Sequence, residues 1–218
     1  MPLQEIAALN EMAVQSMAEG KCIAGAKMLS RGLRQLDGFI KEQDSSFMPE
    51  ASITSFSDSS KLNHIRLNSP RNLDQVSPGN QFDFIPYVFA VRPAFDALHP
   101  HKFQSILASV MTCNLAVVHH HVGLASGSTS NLVMAMKLYQ QMVGLHSSDY
   151  SGSTLLLVVA ANMAQIQAHF MNWRKAHRWM KCALGFAAAT EEELSTDILE
   201  CLSFHSIVSI ESIAAPSA

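Results

Sequence analysis

Charge is the scarcest resource in this sequence. Lys, Arg, Asp and Glu make up only 15% of its 218 residues, against 48% hydrophobic residues. That balance excludes an extended disordered chain and supplies enough apolar material for a large core. The net charge of −3 excludes a broadly cationic surface of the kind that meets nucleic acid or anionic lipid. Cysteine is sparse and scattered: Cys22, Cys113, Cys182 and Cys201 form no C-x-x-C pair and have no His at zinc-finger spacing. They read as reduced, buried thiols acting as small hydrophobes. Long apolar runs are missing too. The longest, residues 155–161 extended to Met163 and Ala164, is broken by Asn162 and falls short of the ~20 residues a bilayer requires. The opening stretch MPLQEIAALNEM carries Glu5 and Glu11 and no early Lys or Arg, unlike a secretory or transit signal. The expected compartment is the cytoplasm, with the nucleus left open.

Catalytic signatures are equally scarce. The chain has no G-x-S-x-G, no phosphate-binding glycine loop and no H-E-x-x-H. The expectation is a protein that is not an enzyme and needs no cofactor or metal. The run His119-His120-His121 does not change this, because successive residues on a helix point about 100° apart and cannot close on one ion.

What the sequence has is helical periodicity. Ile6, Leu9, Ala13 and Met17 form one apolar stripe. Ile23, Ala26, Leu29, Leu33 and Leu36 form a second. Gly20 between them is a helix stop, so the two helices pack antiparallel. Residues 43–60 are serine-rich and broken by Pro49, and read as a loop. Across residues 61–92, Leu62, Ile65 and Leu67 precede a turn-rich stretch. Phe82, Phe84, Tyr87, Phe89 and Val91 then come close to alternating, which predicts a small β-hairpin or an extended insertion laid on the helices. Pro86 confines its second strand to an edge or an irregular start. Helices are expected again over residues 101–124, 131–146, 153–170 and 173–187, the first two separated by the turn ASGSTS. A capping helix over 190–213 would start at the capping box of Thr190 and Glu193. The whole, residues 1–218, is expected as a single helical domain with residues 43–100 inserted.

Small residues recur at fixed places in these pairs. In the last pair Met163-Ala164 is followed by Ala176, Met180 and Ala183. In the middle pair Leu115-Ala116 is followed by Ala135, Tyr139 and Met142, and in the first Met12-Ala13 by Gly25, Leu29 and Gly32. This pattern resembles the tetratricopeptide repeat (TPR) family over roughly 110 residues in three blocks. The middle block departs from it through a longer turn and through Met142 at a small site. The resemblance implies a mainly α fold in which antiparallel helix pairs stack as a short TPR-like α-solenoid. It also implies a concave face lined by first helices, here Asn10, Met17, Asn114, Val117, His121, Asn162, Gln165 and His169. An asparagine amide both donates and accepts, which suits it to a peptide backbone. The same amides can instead bond neighbouring helices. The basic residues with which some family members grip acidic C-termini are replaced here by Val110, Cys113, Val158 and Ala161. The expected partner is another protein, offering an apolar helix or an extended segment rather than an acidic tail, with no nucleic acid and no membrane. The alternative is a structural subunit of a larger complex. Oligomeric state is not legible in the sequence.

The cations Arg174, Arg178 and Lys181 share one helix face beside Lys175 and His177. They read as a solvated outer face, open to pairing with Glu191, Glu192 and Glu193.

Overall fold

A computed structural model describes residues 2–44, 62–66, 87–91, 100–145 and 154–189. Six helices and one hairpin account for them: α1 (Pro2–Ala18), α2 (Cys22–Asp44), β1 (Leu62–Arg66), β2 (Tyr87–Val91), α3 (Pro100–Ser126), α4 (Thr129–Leu145), α5 (Thr154–His169) and α6 (Trp173–Ala189). The chain is mainly helical, with adjacent helices packed as pairs: α1 on α2, α3 on α4, and α5 on α6. These elements fall into two compact units, one holding α1 to α4 with the hairpin and the other holding α5 and α6. The serine-rich stretch from residue 45 onward and the expected capping helix over 190–213 lie outside the described residues.

Each pair turns on one residue in the left-handed region. Gly20 (φ 82°) ends α1, with its N–H donating to Met17 O at 2.9 Å and the Lys21 N–H donating to Ser16 O at 2.9 Å. Gly127 (φ 66°) follows α3, and the next N–H, of Ser128, reaches back to Gly123 O at 2.9 Å. Met171 (φ 56°) occupies the same place after α5, with Met171 and Asn172 donating to Ala168 O and Gln167 O at 2.8 Å each. These bonds satisfy the last carbonyls of each first helix. The middle turn is therefore not stretched. The six residues ASGSTS largely extend the helices, leaving Gly127-Ser128 between them. Ser128 works as the cap, its Oγ accepting the Asn131 backbone N–H at 3.4 Å and the Asn131 Nδ2 at 3.0 Å.

The small sites singled out in the sequence are all buried: Ala13, Gly25, Gly32, Ala116, Ala135, Ala164, Ala176 and Ala183. Met142, which takes a small site in the middle pair, is buried as well. At Gly25 an added Cβ would meet the Met17 side chain and lie 3.0 Å from the carbonyl oxygen of Ala13. Helices α1 and α2 therefore touch backbone to backbone at the position where the spacing demanded a small residue.

The two strands pair antiparallel, Leu62 opposite Val91, His64 opposite Phe89 and Arg66 opposite Tyr87. Pro86, expected to confine the second strand, lies outside the described residues, which resume with β2 at Tyr87. Helix α3 carries the first unit's core. Within its stretch Phe103–Ser126 an 18-residue window reaches a mean hydropathy of 1.2, enough by length and composition to cross a membrane, and 72% of that window is buried inside the fold. Averaging over α3 exposes an apolarity that no unbroken run in the sequence displays. In the second unit α5 is buried on every side from Thr154 to Ala168, as a helix without a polar face must be. Helix α6 is amphipathic, burying Ala176, Met180 and Ala183 and exposing Arg174, Lys175, Arg178 and Lys181.

Candidate functional site

Two asparagines sit where apolar residues would be expected. Asn10 belongs to the α1 stripe of Ile6, Ala13, Val14 and Met17, and Asn114 to the α3 stripe of Val110, Met111, Val117 and Val118. All of these residues are buried. A buried carboxamide must find partners or lose the solvation it had in water. Both find them in β2, which lies against α1 and α3 together.

The Asn114 Oδ1 accepts the Phe89 N–H at 2.7 Å, and the Asn114 Nδ2 donates to the Phe89 carbonyl at 2.8 Å. The second Nδ2 hydrogen goes to Asn10 Oδ1 at 2.9 Å, and Asn10 Nδ2 donates to the same Phe89 carbonyl at 3.1 Å. One side chain thus reads both backbone groups of a residue, as a neighbouring strand would, and a second asparagine braces it. The network fixes the orientation of the Asn114 amide, since a flip would set its NH₂ against the Phe89 N–H. In an antiparallel pair a residue turns both backbone groups toward its partner strand or both away. Phe89 turns both toward Asn114, so its pair with His64 is the non-hydrogen-bonded kind. The neighbouring pairs, Ile65 with Val88 and Asn63 with Ala90, are the ones that hold the hairpin. The cradle covers the outer edge of β2, an edge otherwise open to another strand.

The rest of the expected concave set lies on α1, α3 and α5. Val117, one turn beyond Asn114, is buried in the core. His121, a further turn on, is 8% exposed and lines a surface cavity of about 610 Å³ with Lys21, Cys22, Ile23, Lys27 and Ser126. Burial holds the His121 imidazole below its ordinary pKa, favouring the neutral ring. Asn162 and Gln165 are buried within α5, and His169 is exposed at its end, its ring edge-on to Phe170 at 5.7 Å. These three belong to the second unit. The structure brings together Asn10 and Asn114. The residue they hold, Phe89, was not foreseen from sequence. The signal available was an asparagine in the middle of an apolar stripe on each of two helices.

The three successive histidines diverge. His119 Nδ1 meets Asn131 Oδ1 on α4 at 2.9 Å, His120 packs edge-on to Tyr139 at 6.1 Å, and His121 faces the cavity. Among the described residues, no three His, Cys, Asp or Glu side chains converge on a point that could hold a metal ion. Cys201 lies outside the described residues, and of the other three thiols one departs from expectation. Cys113 is buried and Cys22 partly so, but Cys182 is exposed on the outer side of α6. That side is the one α6 leaves unpacked, so Cys182 does not serve the core. Compared with protein-family models, with curated proteins and with solved structures, the chain gives no match.

Proposed function

We propose that this protein is a non-catalytic protein-interaction scaffold of the cytoplasm, a short and diverged TPR-like array whose helix faces hold an extended segment of polypeptide. The observation that carries this reading is the cradle of Asn10 and Asn114 on the backbone of Phe89. It is built from neutral amides that both donate and accept, the chemistry that suits a peptide main chain, and it contains no nucleophile or titrating group. The array is supported by the burial of the small sites of all three pairs and by the shared left-handed turn between the helices of each pair. A second reading, a fixed subunit of a larger complex, is favoured by β2 already lying on the α1–α3 face and by the complete burial of α5 from Thr154 to Ala168.

Size-exclusion chromatography of native extract, followed by affinity capture on the purified chain, separates the two. Clients that wash off and exchange fit the scaffold, and one stoichiometric partner that stays bound fits the subunit. If neither appears, both readings fall.

A further inference from the structure

The cradle touches its occupant only through main-chain atoms, the N–H and C=O of Phe89. Every residue except proline offers those two groups, so Asn10 and Asn114 set the position of a strand without dictating its sequence. Sequence preference comes from the side chains around them. Tyr87, Val88, Phe89 and Val91 are all buried, and Ala90 alone is half-buried. The site therefore accepts an extended segment with large apolar residues at four positions and a small one at the fourth of five. On its other edge β2 is held by β1.

Resting on the scaffold reading, we infer that the α1–α3 face is a strand-binding site whose resident occupant is β2. Its partner is an extended segment of another protein carrying the β2 pattern, aromatic–aliphatic–aromatic–small–aliphatic, which enters by exchanging with β2. The resident strand is tethered, so it competes at an effective concentration of the order of millimolar. Apparent affinity for an incoming strand is the intrinsic affinity scaled by the fraction of time β2 is away. Loosening the hairpin must therefore tighten binding of a strand supplied from outside.

The probe is a labelled synthetic peptide of residues 85–93, titrated by fluorescence anisotropy against the full-length chain. Ile65→Pro removes a ladder N–H facing Val88 without altering β2, α1 or α3. It is expected to bind the peptide at least tenfold more tightly than the unsubstituted chain. Adding Asn114→Ala to it should abolish that binding, and a scrambled peptide should not bind. Should Ile65→Pro not fold, Phe89→Leu, which loosens the resident strand from its own side, takes its place with the same expectation. Equal affinity for the scrambled peptide, no tightening on loosening the hairpin, or binding that survives loss of Asn114 each overturns the exchange. So does a concentration-dependent dimer that the peptide does not dissociate, since that places the hairpin of a second copy on the face. A captured protein that the peptide fails to displace leaves the scaffold standing while the exchange falls, whereas absence of any captured protein removes the scaffold itself.

Discussion

At the scale of residues, the Asn10–Asn114–Phe89 network sets an order of importance. Removing the Asn114 side chain orphans the Phe89 N–H and takes away one donor each from Asn10 Oδ1 and the Phe89 carbonyl. Removing Asn10 leaves the Phe89 carbonyl with its Asn114 bond intact. An unsatisfied buried polar group costs about 1–3 kcal/mol. Asn114→Ala is therefore expected to lower unfolding free energy by roughly 2–3 kcal/mol, and Asn10→Ala by about half as much. Urea unfolding of the two variants checks the order, and a larger loss from Asn10→Ala contradicts the assigned bonds. The thiols give a second prediction. Burial pushes the Cys113 thiol far above its ordinary pKa and the Cys22 thiol up as well, and only the thiolate reacts. Brief alkylation of the native chain, read by peptide mass spectrometry, should mark Cys182 first and Cys22 slowly. Cys113 should label only in denaturant, and early labelling there would mean that α3 opens readily.

At the scale of elements, the turns and the close helix contacts were largely legible in the sequence. Gly20 stands where a stop was read, and the small sites lie buried. Turn lengths were less legible. Ser and Gly between α3 and α4 suggested a loop, but tertiary packing drew most of those residues into helix and left Gly127-Ser128. Met171 escaped notice for a similar reason, because nothing in its chemistry announces a left-handed residue. Holding an L side chain at φ 56° costs about 1 kcal/mol, and the Met171 side chain is 72% exposed, so it returns little packing. Met171→Gly is expected to stabilise the α5–α6 unit by several tenths of a kcal/mol up to about 1 kcal/mol, read as a raised urea midpoint. Two other glycines answer differently to alanine. At Gly25 the obstacle includes the Ala13 carbonyl oxygen, which is backbone, whereas at Gly32 it is the terminal methyl of Met111, which can swing aside. Gly25→Ala should destabilise by about 1–3 kcal/mol despite its better helix propensity. Gly32→Ala should lie near neutral. Equal losses at both sites would show that the Met111 methyl cannot swing aside.

At the scale of the whole molecule, scarcity of charge governs how stability responds to its surroundings. Asparagine on an apolar stripe was readable as a polar group needing a partner, but which backbone it would meet depended on a hairpin distant in sequence, and periodicity carries no such long-range information. The same limit hid the environment of His121, whose neighbours Lys21 and Lys27 come from a different helix pair. Among the described residues the ion pairs are Lys21 with Glu19 and Lys41 with Asp37, all four side chains well exposed, and such pairs contribute little and are screened by salt. Raising salt should therefore leave the unfolding midpoint nearly unchanged. Acid should not. Burial lowers the His121 pKa in the folded chain below its ordinary value near 6.5. Between that value and the lower folded one, the unfolded chain binds the extra proton and the folded chain does not. Stability then falls as pH drops through this window and is flat above it. His121→Gln has no proton to take up, so the variant should lose less stability than the unsubstituted chain between pH 7.5 and the acid side of that window. Thermal unfolding across the range decides the matter, and an identical fall in both proteins would place the acid-sensitive group elsewhere.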